Sequence, residues 1–158
     1  MATRDGLLDL EIKDRLTRGF VAGLVGGVAM NVVSLASYYL NLGELRYLDW
    51  AGIMMYGFRP HNFLSAAFAQ VIQILQVGIL GAVFAYLLPL TTSRNYLLKG
   101  WLYGTALWFG FNGLTLLFKL GPKIPVHLAT AAVDFVGASV YGLVLAHTLH
   151  WLDEKVKA

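Results

Sequence analysis

The chain has 158 residues, of which 58% are hydrophobic and only 13% charged. A soluble domain of this length carries about 25% charged residues, so the composition argues against one. The net charge of +3 is small and forms no basic cluster suited to nucleic acid. The absence of cysteine excludes disulfides, thiolate catalysis and cysteine-ligated metal.

Residues 5–18, DGLLDLEIKDRLTR, predict an amphipathic helix lying on a membrane surface. Leu8, Ile12 and Leu16 share one face. Asp9–Lys13, Glu11–Arg15 and Asp14–Arg18 are acid-first pairs four residues apart, the favourable order. Docking onto a partner is the alternative use of such a helix.

Four long apolar runs follow, at 19–40, 63–88, 96–118 and 128–149. About 20 apolar residues cross a bilayer core, so the expected fold is all-α: an integral membrane four-helix bundle running up and down. The first run has basic residues before it and Ser34-Leu35-Ala36 after it, the outline of a signal peptide, and is read as a retained span. Gly19, Gly23 and Gly27 form a small-residue stripe along it that admits a close helix neighbour, and Asn31 continues the stripe.

The connection 41–62 is the long one. Its segment LRYLDWAGIMMYGFRP predicts a short helix with Asp49 as N-cap and Gly57 just past the end. Tyr47, Trp50 and Tyr56 are expected at the water–lipid interface. The second run carries Gln70, Gln73 and Gln76, which must face protein or water, and Pro89 ends it. The third carries Gly100, Gly104 and Asn112, with Trp101 and Trp108. The fourth carries Asp134 well inside it. A carboxylate at that depth costs roughly 2.5–3.5 kcal/mol on insertion scales, so its surroundings must offset the cost. The chain is expected to leave the membrane through Trp151 and the charged tail.

Two offsets suggest a duplicated hairpin. Arg18-Gly19-Phe20, Gly23 and Asn31 match Lys99-Gly100-Trp101, Gly104 and Asn112 at an offset of 81. Gly81, Val83 and Ala85 match Gly142, Val144 and Ala146 at an offset of 61, which sets Gln73 opposite Asp134. The expected relation is a pseudo-twofold axis along the membrane normal. At a rise of about 1.5 Å per residue, Asn31, Gln73, Asn112 and Asp134 come to similar depths and can form one buried polar layer. That layer is either interhelical hydrogen-bond glue or a proton, ion or small-solute site.

No phosphate loop, catalytic triad order or HExxH motif is present. His61, His127, His147 and His150 all lie near span ends, so neither a haem nor a metal is expected. No second charged group sits inside a span to serve an intramembrane enzyme, and no enzymatic activity is expected.

The segment Gly-Trp-Leu-Tyr-Gly-Thr-Ala-Leu-Trp at 100–108, LRYLDWAGIMMYG at 45–57 and Tyr-Gly-Leu-Val-Leu-Ala at 141–146 resemble small uncharacterised bacterial four-helix membrane proteins of the YqhR and YagU kind. The resemblance implies a bacterial cytoplasmic membrane. It implies no activity and transfers no functional residue.

Two functions are compatible with these residues. One is a non-enzymatic scaffold or accessory subunit in the bilayer, packing as a homo-oligomer or against a larger membrane partner. The other is a small transporter or channel element with Asp134 at its site. A water-accessible cavity reaching Asp134 separates them, since transport requires one. Of the Lys and Arg residues, eight lie on the side of the N-terminus and four (Arg46, Arg59, Lys119 and Lys123) on the other, which places both termini in the cytoplasm.

Overall fold

The computed structural model describes residues 14–91, 94–119 and 127–157, and in them the chain is all-α. The helices are α1 (Arg15–Tyr39), α2 (Tyr47–Tyr56), α3 (Phe63–Leu87), α4 (Tyr96–Leu117) and α5 (Leu128–Lys157). A 3₁₀ turn, Leu88–Leu90, follows α3 and holds Pro89, whose missing N–H suits the end of a helix.

The helix ends follow local chemistry. Asp14 caps α1 by accepting from the Thr17 amide at 3.3 Å, and Asn62 caps α3 by accepting from the Ser65 amide at 2.7 Å. Asn95 does the same for α4 through the Leu98 amide at 3.0 Å. Gly57 closes α2 at φ 77°, in the left-handed region that glycine enters without penalty.

Three boundaries differ from the sequence reading. Arg15–Arg18 belong to the first turn of α1, not to a separate surface helix. Asp14 caps the helix, and Arg18 pairs with Asp153 at 2.9 Å. The rest of the expected helix at 5–18 lies outside the described residues. Asp49 is not the N-cap of α2 but its third residue: Arg46 takes the cap position, and its amide donates to Asp49 Oδ2 at 2.9 Å. The charged tail after Leu149 continues α5 to Lys157, with Lys155 Nζ 3.8 Å from the Trp151 ring centre.

Three helical segments, Arg15–Tyr39, Phe63–Leu90 and Leu128–Val156, are long and apolar enough to cross a membrane. Helix α4 is outside that group. It is long enough at 22 residues, but Lys99, Asn112 and its glycines, tryptophans and tyrosines dilute its apolar character. Its outward side chains are nonetheless hydrophobic: Phe109, Leu116 and Leu117 are all about three-quarters exposed.

Helix α1 packs along both α3 and α5, and α4 packs along α5. Each neighbour runs antiparallel to the next, so α1 begins and α5 ends on the same side. The close pairs meet at glycine. A Cβ on Gly19 would press on Gly81 O and Ala85, and one on Gly23 would press on Val77 O and Gly81. On the other hairpin, Gly100 meets Gly142 O and Ala146, and Gly104 meets Ala138 O and Gly142. The second set of contacts is the first shifted by 81 on one helix and 61 on the other. Gly27 also contributes, with Val77 packed where its side chain would be.

The remaining two helix pairings are unequal. Between α1 and α5, Gly26 admits Tyr141: a Cβ there would lie 3.0 Å from both the ring and the carbonyl oxygen. The corresponding positions between α4 and α3 are Leu107 and Leu80. Two leucines stand where the other pair has a glycine, and α3 and α4 do not close on each other. They touch through Tyr103, whose hydroxyl donates to Leu80 O at 2.7 Å and whose ring lies 5.0 Å from Phe84. A crevice remains beside them.

Candidate functional site: a cavity at Asp134

The crevice widens into a cavity of about 120 Å³. Helix α3 lines it with Gln73, Gln76 and Leu80, α4 with Leu107, Trp108 and Asn112, and α5 with Asp134 and Tyr141. Met30 of α1 reaches it, and α2 covers it with Tyr47 and Trp50.

Asp134 is 6% exposed. Its Oδ2 accepts from the Trp50 indole Nε1 at 3.3 Å, and its Oδ1 is buried with no partner. Among the described residues, no Lys, Arg or His lines the cavity. The neighbouring backbone is tied down separately, because the Tyr47 hydroxyl donates to Asp134 O at 2.8 Å. Burial pushes the Tyr47 phenol up, and the nearby Asp134 carboxylate adds to this, so the hydroxyl keeps its proton and stays a donor.

Gln73, 5% exposed, faces the cavity from α3. Its Oε1 accepts from Asn31 Nδ2 at 2.9 Å and from Gln70 Nε2 at 3.1 Å. Two donors on the oxygen fix which way round the amide lies. Its Nε2 is left buried without an acceptor. The Trp108 Nε1 is a second buried donor with no partner. Three unpartnered polar atoms, two donors and one carboxylate oxygen, thus belong to residues lining the same cavity. Leaving such a group unsatisfied costs about 1–3 kcal/mol.

The four residues expected to form a polar layer are placed unequally. Asn31 and Gln73 are bonded to each other. Asn112 lines the cavity but bonds to its own helix, its Nδ2 donating to Trp108 O at 2.8 Å. Asn31 makes the same bond to Gly27 O at 2.8 Å, again 81 residues earlier. Asp134 has no direct bond to any of the three amides; its side-chain partner is Trp50.

Trp50 and Tyr47 are the residues that the sequence reading misassigned. Both were expected at the membrane interface, yet Trp50 is 6% exposed and both point into the bundle. Helix α2 is held in that pose by the Tyr47 amide, which donates to Ser34 Oγ of α1 at 3.4 Å, and by the Trp50 ring, which meets Phe111 of α4 edge-on at 5.9 Å. Arg46 holds Asp49 through its Nε and Nη2, each at 3.0 Å, and this pairing raises the guanidinium's affinity for its proton. Trp108 and Leu107 were also missed as site residues. The offset of 81 would have found them, since it sets them against Gly27 and Gly26 and so marks where small residues give way to large ones.

Among the described residues, no group of three or more His, Asp or Glu is arranged to hold a metal ion. A protein-family model described as a family of unknown function (DUF6789) matches residues 13–158. That match does not extend to the YqhR and YagU kind. No curated protein and no solved structure matches the chain.

Proposed function

The chain belongs to this family of unknown function, DUF6789, and since the family supplies no activity we propose one from the site: a small membrane-embedded transport element that takes a small solute into the cavity at Asp134. The observation that carries this reading is that Gln73, Trp108 and Asp134, each with a buried polar atom lacking a partner, all line one cavity. A scaffold working only by helix packing gains nothing from three unsatisfied groups, and interiors ordinarily pair them. A solute with complementary atoms, entering that cavity, is the kind of partner these residues lack. The protein is not an enzyme in this reading, because no nucleophile–base pair stands beside the carboxylate.

Four helices cross the bilayer, α4 included. Its apolar outer face supports this, and so does its place as the counterpart of α1. The two hairpins descend from a tandem duplication, supported by the glycine contacts repeated at offsets of 81 and 61. The second copy has exchanged the glycine of the closed pairing for leucine and so opened the site. Both termini face the cytoplasm of a bacterial inner membrane, and the bundle works as a homo-oligomer or beside a larger membrane partner.

Native mass spectrometry from lipid tests the function. The wild-type protein should carry a small-molecule adduct that Leu107→Trp, which fills the crevice, removes. An adduct-free wild type in a fixed complex with another membrane protein would favour the scaffold instead.

A further inference from the structure

Building on the solute-binding reading, we propose that the cavity's ligand is a small organic cation carrying one neutral hydrogen-bond acceptor, of the amino-alcohol class. Each part of this description answers a feature of the wall. The Asp134 carboxylate has one neutral indole donor, and among the described residues no basic side chain lines the cavity. A buried carboxyl group either keeps its proton or takes a counter-charge, and with no basic side chain on the described wall a cationic ligand is the group that can supply one.

The wall selects which cation. Tyr47, Trp50, Trp108, Phe111 and Tyr141 all line the cavity. Aromatic faces attract alkylated ammonium groups through the ring quadrupole. A calcium ion wants six to eight oxygen ligands and magnesium a near-octahedral oxygen shell, and this wall is too poor in oxygen for either.

The two unpartnered donors add a second requirement. Gln73 Nε2 and Trp108 Nε1 call for an acceptor. A second negative charge would be repelled by Asp134, so the acceptor is a hydroxyl or carbonyl oxygen. The volume of about 120 Å³ limits size: an apolar cavity of about 150 Å³ holds benzene. Choline and its smaller relatives are of the right order.

The test uses the full-length protein in detergent and three probes of nearly one shape. These are choline, its uncharged carbon isostere dimethylbutanol, and propyltrimethylammonium, which keeps the charge and loses the hydroxyl. Binding is followed by calorimetry and by the fluorescence of Trp50 and Trp108. Choline should bind about tenfold or more tighter than dimethylbutanol and several-fold tighter than propyltrimethylammonium. Asp134→Asn, which retains an acceptor for Trp50 but no charge, should erase the preference over dimethylbutanol. Leu107→Trp should abolish binding of all three. Equal binding of choline and dimethylbutanol by the wild type would overturn the cation while leaving a solute site in place. Binding of none of the three would overturn the ligand class, and the solute site would then stand or fall on whether the cavity admits water-soluble reagents.

Discussion

Trp50 Nε1 and Asp134 Oδ2 meet at 3.3 Å although 84 residues of chain separate them. The indole comes from the short helix between the first two long ones, and the carboxylate from the last. This bond joins the covering helix to the buried carboxyl group of α5. It also explains why a residue expected at the bilayer surface is buried.

Replacing Trp50 with Phe keeps the ring and removes the donor. Both oxygens of Asp134 are then without a protein partner. We expect a loss of about 1–3 kcal/mol of stability, read as a lower midpoint of thermal unfolding in lipid or detergent. In an Asp134→Leu background the same change should cost much less, because no acceptor remains to be orphaned. Additive effects would show that the two residues do not interact.

Asp134→Asn should fold and unfold nearly as the wild type does, since the amide oxygen still accepts from Trp50. Asp134→Leu leaves the indole N–H buried and unpaired, and should be less stable than Asp134→Asn by about 1–3 kcal/mol. A leucine variant as stable as the asparagine one would mean that the Trp50 bond contributes nothing.

The glycines separate into two kinds, and a pair of substitutions shows it. At Gly104 a methyl group would drive into Ala138 O, a backbone atom that cannot move aside. Gly104→Ala should cost about 1–3 kcal/mol as overpacking. At Gly113 nothing lies within 4 Å. Gly113→Ala should be neutral or stabilising by about 0.5–1 kcal/mol, because alanine suits a helix interior better. Equal responses in unfolding assays would contradict the packing described.

Much of the fold was legible in the sequence because it rests on periodic, local signals. The long runs, the glycine spacing and the turn at Gly57 all follow from what a helix needs along its own length. The site was less legible. Asp134 and Gln73 stood out because polar groups are costly among apolar neighbours. Asn31, the partner of Gln73, stood out for the same reason, but the partner of Asp134 did not, since which way Trp50 turns depends on how Tyr47 seats α2 against Ser34 of α1 and the Asp134 backbone of α5, a tertiary matter. The crevice was hidden for another reason. Leu107 and Leu80 are ordinary residues in apolar helices, and they acquire meaning only when set against Gly26 and Tyr141 in the other half.

The topology has a clean test, because the chain has no cysteine to remove. A single cysteine at position 94 should react with an impermeant thiol reagent only after cells are opened. One at position 59 should react in intact cells. The reverse pattern would invert the orientation drawn from the Lys and Arg distribution.

Transport through this site requires the cavity at Asp134 to be open to water-borne solutes, and thiol accessibility measures that most directly. Asn112 lines the cavity and bonds only within its own helix, so Asn112→Cys places a thiol at the wall with little disturbance. Ser34 is 2% exposed and not among the lining residues, so Ser34→Cys is the buried control. With the protein in lipid, a small water-soluble methanethiosulfonate reagent should modify the cysteine at 112 and leave that at 34 intact. Adding Leu107→Trp should protect position 112. Equal resistance at both positions would mean that the cavity is closed to solute, and would contradict the function proposed.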